Sequence, residues 1–280
     1  GGNTFNSTAS ITNSGTGQMV LSNTTKDIFN GNVTFTNSNT NVIYVAQNDA
    51  TGSQFNGNIT INNTSTGSIR FSQGTGTSTL ANLKTLTVNT PFSGALYLRN
   101  FTQTGTTAQT INMTLGTGTL YLQTGTVFNG VVNYSFPQMF LNGATFNNTT
   151  TLTKNGATTN SSSGGNTFNG TTTIKTTGSG IWNLANISAD DFNGDVAFIQ
   201  TSTGALRPAQ NAFCTFAGNI STTGTTTAIT FGSGTGGMTI NGSAMQYLNG
   251  SATYQPTCTQ LTMAATTGLT LNVTLNISTA

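Results

Sequence analysis

Charge is what this chain has least of. Aspartate, glutamate, lysine and arginine make up 4% of its 280 residues, where an ordinary soluble domain carries about 25%. Histidine and glutamate are absent, and the five acids are Asp27, Asp49, Asp190, Asp191 and Asp195. The seven bases, Lys26, Arg70, Lys84, Arg99, Lys154, Lys175 and Arg207, stand singly and leave a net charge of +2. No basic patch could neutralise a row of phosphates, which excludes nucleic-acid binding. Without histidine or glutamate, the usual general acid and base pairs cannot be assembled, so no enzyme activity and no cofactor is expected. So few titratable groups also predict indifference to salt and pH.

Cysteine is nearly absent as well. Cys214 and Cys258 are the only two. They form no disulfide framework, and with no histidine or third cysteine they cannot bind zinc. Whether they pair is left open by the sequence. No run approaches 18 apolar residues, which excludes a membrane-crossing helix, and no leader peptide is visible. The chain opens on "GGNTFN" and stops within "LNVTLNISTA". That reads as a segment of a longer repetitive protein.

What is present is Thr, Asn, Gly and Ser, together with 17 Phe, 6 Tyr and 34% hydrophobic residues. Disordered chains combine high charge with few aromatics. Here the aromatics recur at fixed steps. "DIFNGNVTF" at 27–35 returns as "QFNGNITI", "GNTFNGTTTI" and "DDFNGDVAF". The phrase anchors on Phe5, Phe29, Phe55, Phe128, Phe146, Phe168, Phe192 and Phe216, with Leu248 in the same role. The steps 5 to 29, 168 to 192 and 192 to 216 are each 24 residues, and 29 to 55 is 26. Leu80 and Phe101 are degenerate anchors in the gap between 55 and 128.

Every second residue after an anchor is apolar or glycine, as in Phe29, Gly31, Val33, Phe35 and Phe192, Gly194, Val196, Phe198. The residues between are Asn and Thr. Period two with one apolar face is a half-buried strand. A second apolar run follows 13 or 14 residues later, as "MVL", "VIYV", "SIRF", "GIWNL" and "AITF", and turn formers such as "TNSGTG" and "KTTGSG" separate the runs.

A 24-residue unit cannot close a core alone, but identical units stacked on one another can. The expectation is therefore an all-β chain: a β-solenoid (β-helix) of about eleven coils, roughly 24 residues per coil, with two main strands in each. Coils spaced by about 4.8 Å would make a rod of roughly 50 Å. The anchors would stack as an interior aromatic column, and the glycine two residues on would leave room for the ring or allow a bend. Sandwiches also use short strands between turns, but they seldom keep one phrase at a constant step. The solenoid is expected to run through 1–280 as one continuous segment. A longer echo lies within it: "GGNTFN" at 1–6 and 164–169, and "AQN" at 46–48 and 209–211, so that 1–90 resembles 164–250.

Little chemistry is on offer. Asp190, Asp191 and Asp195 are the one acidic cluster and a weak calcium candidate, but within the repeat Asp190 aligns with Asp27, and Asp195 with Asn32, Asn58 and Asn219. That is Asn/Asp exchange at a corner. "GSGTGG" at 232–237 lacks the lysine of a phosphate loop and is a turn. Trp182 fills the core or stacks on carbohydrate. The outward row Asn32, Thr34, Thr36, Asn58, Thr60 is an uncharged sheet face, of which an ice-binding array is the sharper reading.

The "FNGN[VI]T[FI]" copies and the paired "GGNTFN" phrases resemble the giant, Thr/Asn/Gly-rich, extracellular β-solenoid surface proteins of gliding and predatory filamentous bacteria in the Bacteroidota style. That resemblance covers the whole chain. It implies a secreted, cell-attached structural segment of an adhesin, filament or hook-like prey-catching appendage, with other copies or neighbouring repeats as partners, and a cell surface or glycans as possible targets. It implies no site residues. The alternatives are a glycan-binding or ice-binding adhesin module and a trimeric phage-type fibre.

Overall fold

The computed structural model describes residues 1–224 and 229–242, and beyond these the strands at 246–249, 253–254, 262–265 and 269–272. Among the described residues there is no helix. The strand pairings among the described residues are parallel, and strands come back into register about every 24 residues, giving a β-solenoid of about ten turns against the eleven expected. The chain divides into two compact units, 1–137 and 138–280.

In unit 1 a full coil carries three strands, each stacked on its equivalent in the next coil. The first ladder runs through Thr4–Phe5, Ile28–Phe29, Ser53–Phe55, Ser78–Leu80, Phe101–Gln103 and Val127–Phe128. The second begins Ala9–Asn13, Val33–Asn37, Ile59–Asn63 and Leu86–Val88. The third is Met19–Val20, Val42–Tyr44, Ser68–Phe71, Ala95–Leu98 and Thr119–Gln123. Unit 2 repeats the plan, with Thr145–Phe146, Thr167–Phe168, Asp191–Phe192 and Phe213–Phe216 in its first ladder. Its second runs through Thr150–Lys154, Thr172–Thr176, Val196–Gln200 and Ile220–Gly224. Its third includes Asn160–Ser161, Trp182–Asn183 and Leu206–Arg207.

The alternation reads as two main strands per coil, but the structure divides the first of them at a corner and makes three. Phe29 ends one strand and Val33 starts the next, with a bend at Asn30–Gly31. The glycine is what permits it. A Cβ on Gly57 would lie 2.2 Å from the carbonyl oxygen of Gly31, and one on Gly218 would lie 2.4 Å from the carbonyl carbon of Gly194. The room is therefore needed by the backbone of the preceding coil, not by the anchor ring. Period two survives the bend because Phe29, Val33 and Phe35 all face inward.

Parallel in-register pairing forces equal side chains over one another. Phe5 stacks on Phe29 at 4.7 Å between centroids and Phe29 on Phe55 at 5.0 Å. In unit 2 the sequence Phe146, Phe168, Phe192, Phe216 stacks at 4.9, 4.8 and 5.0 Å with the rings within a few degrees of parallel. Inward residues of the other ladders meet these columns edge-on, as Phe35 meets Phe29 and Phe55, and Phe198 meets Phe192 and Phe216. Each such ring is worth about 1.5–3 kcal/mol of burial, with about 0.5–1.5 kcal/mol more from ring pairing.

Two anchors sit elsewhere than the phrase suggests. Leu248 pairs with Ile220 in the second ladder, and the residue in register with Phe216 is Ile240. The step of 24 from 216 reaches 240, and "YLNG" only imitates the anchor phrase. Leu80 does continue the column after Phe55, but Gln103 follows it, and Phe101 lies opposite Ser78. Phe101 still points inward and meets Phe71 edge-on at 5.3 Å.

In two places a side chain stands in for the ladder. Leu86 and Gln109 are on consecutive second strands, yet the Leu86 N–H donates to Gln109 Oε1 at 2.8 Å and Gln109 Nε2 donates to the Lys84 carbonyl at 2.9 Å. In unit 2 the N–H groups of Met139 and Leu141 donate to Asn160 Oδ1 and Ser162 Oγ.

Candidate functional site

Polar groups enter the interior at one corner. Asn13, Asn37 and Asn63 are in register and buried, and each donates its side-chain N–H to the carbonyl four residues on, at 2.7–3.0 Å. These bonds meet the turn carbonyls that a core would otherwise leave bare. The matching column of unit 2 is Lys154, Thr176, Gln200. Gln200 repeats the bond to Gly204, while Lys154 donates to the carbonyls of Gly156 and Gly180. Lys154 is fully buried, and burial pushes its ammonium down to about 8.

A second polar column lies two residues before the anchors. Asp27 is buried; one carboxylate oxygen accepts from Asn3 N and Nδ2 at 2.8 and 2.9 Å, the other from Ser22 N and Oγ. Burial alone would raise its pKa, but these bonds and the nearby N-terminus outweigh it and hold the carboxyl below the usual range. Asp190 keeps the Asn166 bonds but has no such serine pair, and burial pushes it up to about 6. Its own N–H donates to the buried Cys214 sulfur, whose pKa burial and the Asp190 charge both raise. Cys258 lies outside the described residues.

The three aspartates do not meet. Asp190 points inward just before the strand Asp191–Phe192, Asp191 points outward from that strand's first position, and Asp195 lies round the corner, where its Oδ1 accepts from Asn219 N at 2.8 Å. Asn32 does the same for Asn58 N at 2.9 Å, so Asp195 is a corner asparagine with a charge. Among the described residues no three histidine, cysteine or acidic side chains gather as a metal site needs. A shallow recess of about 270 Å³ beside Asp195 is lined by Thr171, Thr173, Ala197, Asn219 and Ser221. It comes from the small side chains of Ala197 and Ser221 rather than from any set of converging groups. Trp182 is fully buried, its Nε1–H donating to Ser162 Oγ, which removes it as a carbohydrate platform.

The outward faces separate into rows. At the first corner Asn30 donates to Asn6, and Asn56 to Asn30, both at 2.9 Å; Asn169 to Asn147 and Asn193 to Asn169 repeat this at 2.7 Å. On the second strands of unit 1, Ser10, Thr34, Thr60 and Thr87 form one row in register. In the parallel row, Asn62 donates to Thr36 Oγ1 and Asn89 to Asn62, so those groups are turned along the coil stack rather than outward.

The most elaborate row is on the third strands of unit 1, where Tyr44, Arg70, Tyr97 and Tyr121 stand one over another, each half-buried. Tyr97 and Tyr121 stack at 4.2 Å with parallel rings. The Arg70 guanidinium lies 4.2 Å from the Tyr97 centroid and 6.0 Å from that of Tyr44. Tyr121 is pushed up to about 12, first by burial and then by Tyr97, against the opposing charge of Arg70. The signal was in the runs "VIYV", "SIRF", "ALYL" and "TLYL": aligned, their third letters read Tyr, Arg, Tyr, Tyr. Counting from the anchors hides this, because corner lengths differ between coils.

Comparison with protein families, curated proteins and solved structures finds no match to this chain. Its function is therefore argued from the geometry alone.

Proposed function

We propose that this chain is a structural, non-enzymatic repeat segment of a large extracellular bacterial surface appendage or filament that serves attachment or the capture of prey or other cells. Its partners are further coils of the same kind, from another copy or another repeat. The reading rests on a match between two coils. Asn3 grips Asp27 as Asn166 grips Asp190, through the backbone N–H and Nδ2 onto one oxygen. In unit 2 the coil before Asn166 completes the set. Gly143 N and Ala144 N donate to Asn166 Oδ1 at 3.0 and 2.9 Å, Phe146 covers Phe168, and Asn147 accepts from Asn169.

Asn3, Phe5 and Asn6 carry the same three features in the first coil of unit 1. These are the features by which Asn166, Phe168 and Asn169 seat the coil at 142–147, so the first coil is built to stack against another of the same kind. Coil-on-coil bonding and a stacked apolar core give stiffness, and a surface made mostly of hydroxyls and amides gives salt little to screen.

Electron microscopy of the native material from its source tests this. A long assembly with a repeat near 4.8 Å along stacked coils, as parallel strand spacing requires, would support it. A compact monomer, or three chains wound about a common axis, would overturn it.

A further inference from the structure

We propose that the Tyr44–Arg70–Tyr97–Tyr121 row, with Arg99 beside it, binds an acidic polysaccharide, its carboxylate groups seated on the two guanidiniums. The first observation is that two cations converge on one residue. Arg70 Nη1 donates to Gln73 Oε1 at 3.0 Å and Arg99 Nη1 to the Gln73 carbonyl at 2.7 Å. In a chain with seven basic residues, that is an expensive concentration of like charge.

The second observation is that nothing in unit 1 neutralises it. Its acids are Asp27 and Asp49. Both are buried, the first held by Asn3 and Ser22, the second bonded to Thr51. Arg70 Nε donates to Ser68 Oγ and Nη1 to Gln73 Oε1, which leaves the two donors of Nη2 without a hydrogen-bond partner among the described residues. The rings of Tyr44 and Tyr97 hold the guanidinium plane in place, so its remaining donors are already ordered for a carboxylate. The cation–ring contacts make the same arrangement stable without ligand.

The shape selects the polymer. The row is one residue wide and runs from coil to coil, with phenol hydroxyls along it and Arg99 at its side. A protein partner needs a broad patch with an apolar centre, and a nucleic acid needs many more phosphate contacts than two arginines give. A sparsely charged sugar chain laid along the coil stack meets hydroxyls, ring edges and two cations in turn. The row needs only the folded coils, whatever larger structure they belong to.

Calorimetric titration of the full chain with a polyuronate, a neutral glucan and double-stranded DNA decides the matter. Binding to the polyuronate is expected, weakened by salt. It should fall by about tenfold or more in Arg70→Gln, the loss of one charge-assisted contact, and in Arg99→Gln. Arg70→Lys should recover only part, because the ring-stacked guanidinium plane is lost. Lys175→Gln, outward on unit 2, should change nothing, and urea midpoints of the variants report that each is folded. No binding to the polyuronate overturns the proposal. So does equal binding by wild type and both glutamine variants, or tighter binding to the glucan or the DNA.

Discussion

Asn166 gives Asp190 both of its N–H groups, the backbone at 2.9 Å and Nδ2 at 2.7 Å, and both fall on the same carboxylate oxygen. Deep in unit 2 that grip does not offset desolvation, and the carboxyl rises to about 6. A group raised above its unfolded value lends stability that is whole below the ordinary aspartate range and lost as pH climbs through 6. Asp190→Asn, which keeps the acceptor, should therefore stabilise unit 2 at pH 8 by about 3 kcal/mol and do little at pH 4. Urea unfolding at the two pH values measures it; no gain at pH 8 would mean the carboxyl is not buried as described.

Lys154 has the opposite sign. Its ammonium is depressed to about 8, so its contribution is present above the unfolded range near 10.5 and is lost as pH falls through 8. Gln200 already does the same turn-capping in the same column without a charge. Lys154→Gln should raise stability at pH 7 by about 1–3 kcal/mol and leave it unchanged at pH 10.5. With Asp190 this puts a stability minimum of unit 2 between about 6 and 8. Asp27, held low in unit 1, loses its contribution only in acid. The scarcity of charge predicts indifference to pH; two charges placed inside overturn that expectation.

Phe192 lies between Phe168 and Phe216. Phe192→Ala should cost about 3–5 kcal/mol, whereas Asn193→Ala, on the outer row next to it, should cost under about 1 kcal/mol. Guanidinium midpoints of the two variants separate a core column from a surface one. Equal effects would sink the distinction.

Gly194→Ala places a Cβ 2.7 Å from the backbone of Gly170. Neither coil can give way without breaking its ladder, so a loss of more than about 2 kcal/mol is expected. Thr173→Ala, outward on the same face, should be nearly neutral in the same melts.

Gln109→Ala would strip the Leu86 N–H and the Lys84 carbonyl of their partners. A loss of about 1–3 kcal/mol follows. Hydrogen exchange at the Leu86 amide should quicken, while that at Ile59, in the regular ladder, should not.

The repeat made the fold legible. A fixed step of about 24 with Phe, Gly and β-branched residues two apart leaves few arrangements besides stacked coils, and Phe168, Phe192 and Phe216 stack because equal steps bring them into register. Leu248 misled because a local phrase resembles the anchor while register depends on the length of the whole coil. The third strand per coil was hidden because the inward alternation continues through the corner at Gly31. The Tyr–Arg row was in the letters but lost to corner lengths, which shift its distance from the anchors. Lys154 and Gln109 stay invisible in sequence because a long polar side chain turns inward only where a bare carbonyl awaits it, and that is a property of the neighbouring coil.

Asn30, Asn56, Asn169 and Asn193 each precede a glycine, the pairing at which asparagine most readily loses ammonia when the next backbone nitrogen attacks its amide. In the stacked corner the amide is tied to the asparagine of the coil beside it, and the glycine backbone is wedged against the same coil. The attack geometry is closed while the coil stays seated. A coil that peels away regains it, and each aspartate so made places a negative charge in a row where amides had bonded to one another, which opposes reseating. Chemical ageing in this protein should therefore spread inward from a loosened coil, and the intact stack is its own preservative.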